Sequence, residues 1–340
     1  MYSSYSFIIP YLEKANQGKH ELFFERRALS LKTVEKAQGF DAISIFSSDD
    51  ASEKVLKELA GLGIRYIALR STGFDCIAIE TAKKLKMQVV NVPEYSPNAI
   101  AEHALALLLA LNRKLIISND RIRNNNFSIE GLAGFDLFGK TIGIVGTGKI
   151  GSVMARICKG IGCKLLGYDL VEDPILQQET GIVYTSLTKL CEQADVITLH
   201  TPLNSQTHHL INEAMVKKMK PGVILINTAR GAVVDTKAIL KGLTAGKIGA
   251  LGMDVYEFEK TCFFQDCTQK NIEDPLLKAL ISLPNVLITS HHAFLTKEAL
   301  TNIAKDTIEA FDYWEKGENA PHELYKIPKT KIINPIKQMP

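Results

Sequence analysis

The stretch Thr141-Ile-Gly-Ile-Val-Gly146-Thr-Gly148-Lys-Ile-Gly151 decides the fold of the part of the chain that contains it. Its apolar start predicts a buried strand that ends at Gly146, and helical character resumes at Ile150. Glycines at such a strand-to-helix turn permit a tight turn, a close approach of the backbone to a pyrophosphate, and packing of the helix on the strand. A glycine-rich turn without a ligand is the alternative, but the strand–turn–helix context favours a dinucleotide site.

An acidic residue follows this turn at the spacing that a dinucleotide site requires. The next strand-like run, 164–169, ends in Asp169, which is 18 residues after Gly151. A carboxylate at this position binds the ribose hydroxyls of NAD and would repel the extra phosphate of NADP. No Arg or Lys follows within 170–174 to offset that repulsion. An exposed turn aspartate is the alternative, but the spacing favours NAD as the cofactor.

Strand-like and helical patterns alternate along the chain, which predicts parallel sheets joined by crossover helices. The turn at Gly146 is preceded by several strand-like runs, including a weaker one at His20–Glu25, so a separate α/β unit should precede the dinucleotide-binding unit. Expected strands are 41–46, 65–70, 88–92, 141–146, 164–169, 195–200, 222–228, 248–255 and 285–290, and expected helices are 52–60, 97–117, 149–161, 234–244 and 296–316.

Length and composition limit the classes of protein to which the chain can belong. A chain of 340 residues suits two domains, and its net charge of +3 with mixed signs indicates neither a nucleic-acid partner nor a membrane surface. Its six cysteines are expected to be reduced and mostly buried. Cys262 and Cys267 have a spacing that could suggest a metal pair, but no second pair accompanies them, so no metal site is expected.

The start of the chain carries no pattern of a targeting segment, and we expect a cytoplasmic protein. The most apolar run, 104–117, is too short and too polar to span a bilayer. Because an α/β unit normally opens with an apolar strand, the opening Met-Tyr-Ser-Ser-Tyr-Ser leads us to expect that the natural chain begins several residues earlier.

Three chemically complementary residues follow apolar runs in the second half of the chain: Arg230, Glu259 and His291. A guanidinium can bind a carboxylate with two hydrogen bonds, and an imidazole can donate a proton near neutral pH. A nearby carboxylate can orient that imidazole. A structural salt bridge for Arg230 and a buried structural role for His291 are the alternatives. Together with a dinucleotide, the three residues suit the reduction of a 2-keto acid.

These features, with three further blocks, resemble the D-2-hydroxyacid dehydrogenase family, most closely the fermentative D-lactate dehydrogenases of bacteria. The resemblance extends from about Phe40 to about Leu324. The further blocks are Asn-Val-Pro-Glu-Tyr-Ser-Pro-Asn-Ala-Ile-Ala-Glu-His-Ala (91–104), Asp-Val-Ile-Thr-Leu-His-Thr-Pro-Leu (195–203) and His-His-Ala-Phe-Leu-Thr-Lys-Glu-Ala-Leu (291–300).

The resemblance implies an α/β fold with two Rossmann-like, doubly wound parallel-sheet domains and the chemistry in the cleft between them. A discontinuous, flavodoxin-like substrate domain would comprise 1–98 and 297–330, the NAD-binding domain 99–296, and a tail 331–340.

The resemblance also implies individual roles. Arg230, Glu259 and His291 would be catalytic, and backbone amides of Thr72 and Gly73 would help to hold the substrate carboxylate. Tyr95 would contact the substrate or pack between domains, and Phe294 would shape the substrate pocket or belong to the core. The cofactor would be bound by Gly146, Gly148, Lys149, Ile150, Gly151, Asp169, Thr201, Pro202, Thr207, Thr228, Ala229 and Asp254, and Asp254 would lie near the nicotinamide carboxamide.

The function that follows is an NAD-dependent D-lactate dehydrogenase that reduces pyruvate, with His291 as the proton donor, in a homodimer or homotetramer. Two alternatives remain open. One is a dehydrogenase of the same family that acts on a bulkier 2-keto acid. The other is a dinucleotide-sensing binding protein, since one branch of this superfamily serves as transcriptional corepressors.

Overall fold

The computed structural model describes residues 1–259 and 262–326. They form two units, one made of Met1–Tyr95 with the segment from Leu300 onward, and one made of Ser96–Ala299. Each boundary differs by three residues from the expected one, 95 against 98 and 299 against 296. The expected tail, 331–340, lies outside the described residues.

The first unit contains a three-stranded parallel sheet in the order β1-β2-β3. Aliphatic side chains such as Ile45, Leu56 and Leu69 form a core from which solvent is fully excluded. Its strands are β1 (Ala42–Ile45), β2 (Tyr66–Leu69) and β3 (Gln88–Val90), and its helices before the boundary are α1 (Ile9–Asn16), α2 (Glu53–Gly61) and α3 (Ile79–Lys84), with a 3-10 turn at Val34–Ala37.

The second unit is built on a seven-stranded parallel sheet. Its strands are β4 (Thr141–Val145), β5 (Lys164–Tyr168), β6 (Val183–Tyr184), β7 (Val196–Leu199), β8 (Val223–Asn227), β9 (Ile248–Met253) and β10 (Val286–Ile288). The strand order is β10-β9-β8-β7-β4-β5-β6. The chain runs outward from β4 in one direction and then from β7 in the other, so the β4/β7 neighbourhood is the switch point at which parallel sheets bind ligands.

Helices cover both faces of this sheet, as its sequence requires. Alternate residues of β8 belong to different cores: Leu225 packs on one side of the sheet, and Ile224 and Ile226 pack on the other. Strands that are buried on both faces are apolar at every position. The helices are α4 (Pro97–Asn112), α5 (Leu115–Arg123), α6 (Lys149–Ile161), α7 (Pro174–Thr180), α8 (Leu187–Gln193), α9 (Glu213–Lys218), α10 (Thr236–Thr244), α11 (Pro275–Ser282) and α12 (Lys297–Glu315), the last of which continues into the first unit.

The expected parallel α/β architecture is confirmed, but two of the expected elements are wrong. The segment His20–Glu25 is not a strand, although Ser4 N–H donates to the carbonyl of Glu25. The helix expected at 97–117 ends at Asn112, because Lys114 adopts a left-handed conformation with φ of 52° that interrupts the helix. None of the helices in the described ranges combines the length and the hydropathy that crossing a bilayer requires.

Candidate active site

The glycine turn lies between β4 and α6, as expected. Gly146 has a φ of +90°, and a Cβ there would lie 2.8 Å from the backbone of His200, so glycine suits the position on two counts. A Cβ on Gly151 would lie 1.9 Å from the carbonyl oxygen of Gly146, so α6 approaches the turn too closely for any side chain. Gly148 caps α6 and has open space around its Cα, which leaves the amino-terminal turn of the helix, with Lys149 and Ile150, accessible to an anion.

Asp169 follows β5 and already accepts hydrogen bonds from this turn. Its Oδ2 accepts from the Thr147 amide at 2.6 Å and from the Thr147 hydroxyl at 3.2 Å, and its Oδ1 accepts from the Leu170 amide at 2.7 Å. The hydroxyl of Tyr184 donates to Thr147 Oγ1 at 2.8 Å. The Val171 amide donates a fourth, longer bond to Oδ1 at 3.4 Å, so a ribose hydroxyl would replace one of the two longer contacts. The sequence analysis missed Thr147 and Tyr184, whose side chains carry no motif signal of their own.

Two buried hydroxyls at the ends of β7 and β8 suit a bound polar ligand. Thr201 Oγ1 and Thr228 Oγ1 are buried and have no hydrogen-bond partner among the described residues. Leaving a buried hydroxyl unpaired costs about 1–3 kcal/mol. Both threonines follow strands at or beside the switch point, where a dinucleotide would supply partners, so these residues fit NAD. Pro202 and Ala229 follow them directly in the chain.

Thr207, an expected cofactor contact, makes its hydrogen bonds within its own turn. Its hydroxyl donates to the carbonyl of Pro202 at 2.5 Å and accepts from the amide of Asn204 at 2.8 Å. The side chain therefore closes the turn in which it lies. A cofactor contact through this hydroxyl would compete with that local pairing.

Arg230, Glu259 and His291 follow three adjoining strands, β8, β9 and β10. His291 Nδ1 lies 2.8 Å from Glu259 Oε1, and both side chains are mostly buried. Glu259 Oε2 accepts a hydrogen bond from the Tyr256 amide at 3.1 Å. The structure therefore brings the histidine and the glutamate together as a pair in which the carboxylate is itself held in place.

Arg230 is held beside the segment that leads to Glu259. A Cβ on Gly231 would lie 2.0 Å from the backbone of Tyr256, so the two segments are in direct backbone contact. Arg230 Nη1 donates to the carbonyl of Ala229 at 2.8 Å, and its own carbonyl accepts from Asn227 Nδ2 at 3.0 Å. These contacts hold the backbone and the side chain of Arg230 in position.

Asp254 has a role that the sequence analysis missed. Only 1% of the residue is exposed, and its carboxylate binds the loop that carries His291. Oδ1 accepts from the His292 amide at 2.9 Å and from the Thr289 hydroxyl at 2.5 Å, and Oδ2 accepts from the Ala293 amide at 2.9 Å. The Asp254 carbonyl accepts from the amide of His291 at 2.7 Å, where the backbone is left-handed with φ of 55°. Asp254 therefore sets the position of His291 through the backbone.

His103 of α4 completes this network and was also missed. Its Nε2 lies 3.0 Å from Thr289 Oγ1 and 3.5 Å from Asp254 Oδ1, and its ring meets that of His292 edge to face at 4.9 Å. Burial lowers the pKa of His103, and the neighbouring His292 lowers it further against the opposing effect of Asp254. The sequence block 91–104 contains His103, but no local pattern indicated its partners.

The four expected substrate contacts lie in different units. In the first unit, the amides of Thr72 and Gly73 donate no hydrogen bond within the described part of the chain, so both are free to bind an anion. Thr72 Oγ1 donates to the Val92 carbonyl at 2.9 Å, which shapes the turn. Tyr95 belongs to the same unit and accepts from Asn302 through its carbonyl. Phe294 belongs to the second unit and is buried.

Residues 105–293 match the family model described as "D-isomer specific 2-hydroxyacid dehydrogenase, NAD binding domain". The chain is 45% identical to the D-lactate dehydrogenase of Escherichia coli over 325 residues, which is 95% of this chain and 98% of that protein.

Two solved structures illustrate the range of similar proteins. A D-lactate dehydrogenase from Aquifex aeolicus, complexed with NAD and lactic acid, matches with a TM-score of 0.85 and 35% identity over 93% of this chain and 95% of that one. A D-2-hydroxyisocaproate dehydrogenase matches with a TM-score of 0.79 and 34% identity over 94% of this chain and 97% of that one.

Proposed function

Since this chain belongs to the NAD-dependent D-2-hydroxyacid dehydrogenase family, we propose that its reaction is the reduction of pyruvate to D-lactate. The observation that carries the proposal is the 2.8 Å contact between His291 Nδ1 and Glu259 Oε1 at the end of the sheet where Arg230 also lies. The 45% identity to a D-lactate dehydrogenase supports pyruvate as the substrate.

The proposed mechanism gives each member of the triad one task. Arg230 binds the carboxylate of pyruvate with its two-pronged guanidinium and polarises the ketone oxygen. His291 donates a proton from Nε2 to that oxygen, because Nδ1 faces Glu259. Bound NADH supplies the hydride that reaches C2 of the substrate. One hydride and one proton thus convert the ketone to the hydroxyl, and Glu259 orients the imidazole through its contact with Nδ1.

The remaining proposed contacts hold the reactants. The amides of Thr72 and Gly73 contribute to binding the substrate carboxylate, Tyr95 contacts the substrate through its hydroxyl, and Phe294 shapes the methyl side of the pocket. Asp169 binds the ribose, and the glycine turn binds the pyrophosphate. The other cofactor contacts proposed are Lys149, Ile150, Thr201, Pro202, Thr207, Thr228, Ala229 and Asp254.

A bulkier 2-keto acid is the second candidate substrate. The similarity to a D-2-hydroxyisocaproate dehydrogenase favours it, since that protein's name denotes a substrate with a branched side chain. Either substrate would be reduced by the same proposed triad, so the choice between them would rest on the pocket around the substrate side chain.

The test of the proposed function is the rate of NADH oxidation with pyruvate, phenylpyruvate and hydroxypyruvate, each over a range of concentrations. We expect the highest kcat/KM with pyruvate and, in the reverse direction, oxidation of D-lactate and not of L-lactate. A higher kcat/KM with phenylpyruvate would select the bulkier substrate. Binding of NADH without turnover of any of the three would reject an enzyme of this specificity.

We also propose a homodimer or homotetramer in which a second copy covers one exposed apolar face. Helix α5 buries none of its side chains, and the face comprises Leu115, Ile116, Ile122, Phe127 and Ile129, each of which is about half exposed or more. Large exposed apolar side chains this close together in the sequence are typical of a contact surface. A cytoplasmic location is proposed as well, which the six free cysteines support because thiols stay reduced there.

A further inference from the structure

Two histidines and a glutamate meet in the second unit outside the proposed catalytic triad. The ligand atoms of His208, His209 and Glu257 all lie within 4.8 Å of one another. His209 Nε2 is 2.7 Å from Glu257 Oε1, and the two imidazole rings are stacked with their centroids 4.0 Å apart. His208 is exposed, whereas the other two are partly buried.

The backbone holds two members of this cluster in place. His209 has a left-handed backbone with φ of 51°, and its amide donates to the Ala232 carbonyl at 2.8 Å. The backbone of Tyr256 and Glu257 packs closely against Gly231. Glu257 Oε2 accepts from the Thr236 amide at 3.3 Å and from the Thr236 hydroxyl at 2.7 Å. One carboxylate oxygen of Glu257 is thus fixed, and the other faces the imidazoles.

We propose that His208, His209 and Glu257 bind a divalent transition-metal ion, and that Zn²⁺ is the ion whose chemistry they fit. Imidazole and carboxylate ligands together suit zinc, with water in the fourth position. Zinc–ligand distances of about 2.0–2.2 Å place the ligand atoms of a tetrahedral site roughly 3.3–3.5 Å apart. To bind the ion, His209 Nε2 and Glu257 Oε1, now 2.7 Å apart, would separate by roughly 0.6–0.8 Å to reach that spacing. The exposed His208 side chain would turn towards them from within 4.8 Å.

The bound ion would join two segments of the unit. His208 and His209 end the turn that Thr207 closes, and Glu257 lies two positions before Glu259. An ion bound to all three side chains would restrict the motion of one segment relative to the other. The binding itself requires neither substrate nor NADH, so it stands independently of the proposed reaction.

Calorimetric titration of the full chain with ZnCl₂, after treatment with a chelator, tests the site. We expect one ion per chain, and an affinity at least about tenfold lower in His208→Ala and in Glu257→Gln, since even outer contacts of metal sites are worth about 10–100-fold. His322→Ala is the matched control, because His322 is exposed and lies in the other unit. Its affinity for zinc should equal that of the unchanged chain.

Titration with Co²⁺ distinguishes this site from binding to the cysteines. Cobalt on nitrogen and oxygen ligands gives visible absorption without the near-ultraviolet thiolate bands, and we expect only the former in the unchanged chain and a loss of it in His208→Ala. Zinc should also raise the melting temperature of the unchanged chain and of His322→Ala but not of His208→Ala. Equal zinc affinity in His208→Ala, or thiolate-to-cobalt bands as the main signal, would overturn the proposal. His208 is exposed, so this variant remains informative if Glu257→Gln fails to fold.

Discussion

His291 and His292 are neighbours in sequence, yet their side chains meet different partners. His291 pairs with Glu259 at 2.8 Å, and His292 packs edge to face on His103. Replacing His291 with Asn should remove the proton donor and lower kcat/KM for pyruvate about a hundredfold to ten-thousandfold. Replacing His292 with Gln should lower it far less, because only a packing contact is lost. Steady-state kinetics of the two purified variants checks this.

Thermal melts of both variants separate chemistry from folding. His291→Asn should lose activity while keeping a cooperative melt close to that of the unchanged chain. If His292→Gln were the inactive variant and His291→Asn the active one, the assignment of the proton donor would be wrong.

At the scale of single residues, the sequence predicted the local structures that chain context signals. The glycine turn and the His291–Glu259 pair belong to this class, because each stands next to a recognisable apolar run. The role of Asp254 was not predictable, since its partners are the amides of His292 and Ala293, 38 and 39 residues away. No local pattern encodes a side chain that binds a distant backbone.

At the scale of an element, helix α6 contains two glycines, and replacing each with alanine should have opposite effects on stability. A Cβ on Gly151 would lie 1.9 Å from the Gly146 carbonyl oxygen, whereas a Cβ on Gly160 would meet nothing within 4 Å. Gly151→Ala should cost about 1–3 kcal/mol of unfolding free energy and weaken NADH binding, because the glycine turn must shift. Gly160→Ala should stabilise the protein by about 0.5–1 kcal/mol, because alanine is favoured in a helix.

Urea unfolding and fluorescence titration with NADH measure both effects. Gly160→Ala serves as the matched control, since both substitutions add one methyl group to the same helix. A Gly151→Ala variant as stable as the unchanged chain, with unchanged affinity for NADH, would contradict the close packing of helix and turn.

Nine expected strands match observed ones, because apolar, β-branched runs flanked by polar turns are typical of buried strands. The two-residue β6 was missed because it is too short to show a pattern. The helices were predicted less well. Short amphipathic helices such as α8 and α9 contain too few turns to show a period, and they depend on packing against the sheet. The end of α4 depends on the left-handed Lys114, and lysine carries no general preference for that conformation.

At the scale of the whole molecule, stability should depend on pH through His200. Burial lowers the pKa of His200 from 6.5 to about 4. As the pH falls from about 6.5 to about 4, His200 becomes protonated in the unfolded chain but stays neutral in the folded chain, so the free energy of unfolding decreases. His200→Gln, which can keep a bond to Thr198, should lose roughly 1–3 kcal/mol less over this range.

Unfolding in urea at several pH values measures this difference, with the exposed His322→Gln as the control. The control should follow the unchanged chain at every pH. Identical pH dependence in His200→Gln and the unchanged chain would show that this imidazole does not contribute.

The proposed assembly makes a second prediction at this scale. Ile129→Glu places a charge in the exposed apolar face and should shift the molar mass in solution toward that of one chain, because a buried unpaired charge opposes association. Leu31→Glu is the control, since Leu31 is exposed in the other unit. Size-exclusion chromatography with light scattering gives the masses. A multimer that persists in Ile129→Glu would place the contact elsewhere.

The two-unit organisation was predictable. A dinucleotide-binding unit begins with the strand that leads into its glycine turn, so the strand-like runs that precede this strand must belong to a separate unit. The first unit was predicted less fully. His20–Glu25 reads as a strand but is not one, since its backbone contacts are with the few residues near Met1 and with no long strand.

The way in which Asp254 binds its loop has an evolutionary consequence. Its carboxylate accepts from the backbone amides of positions 292 and 293, which every residue except proline provides. Mutations there can therefore accumulate during divergence without moving the neighbouring imidazole. Because Ala293 is buried, most of this freedom lies at position 292, and a library randomised there without proline would show how much change the loop tolerates while it keeps the His291–Glu259 pair.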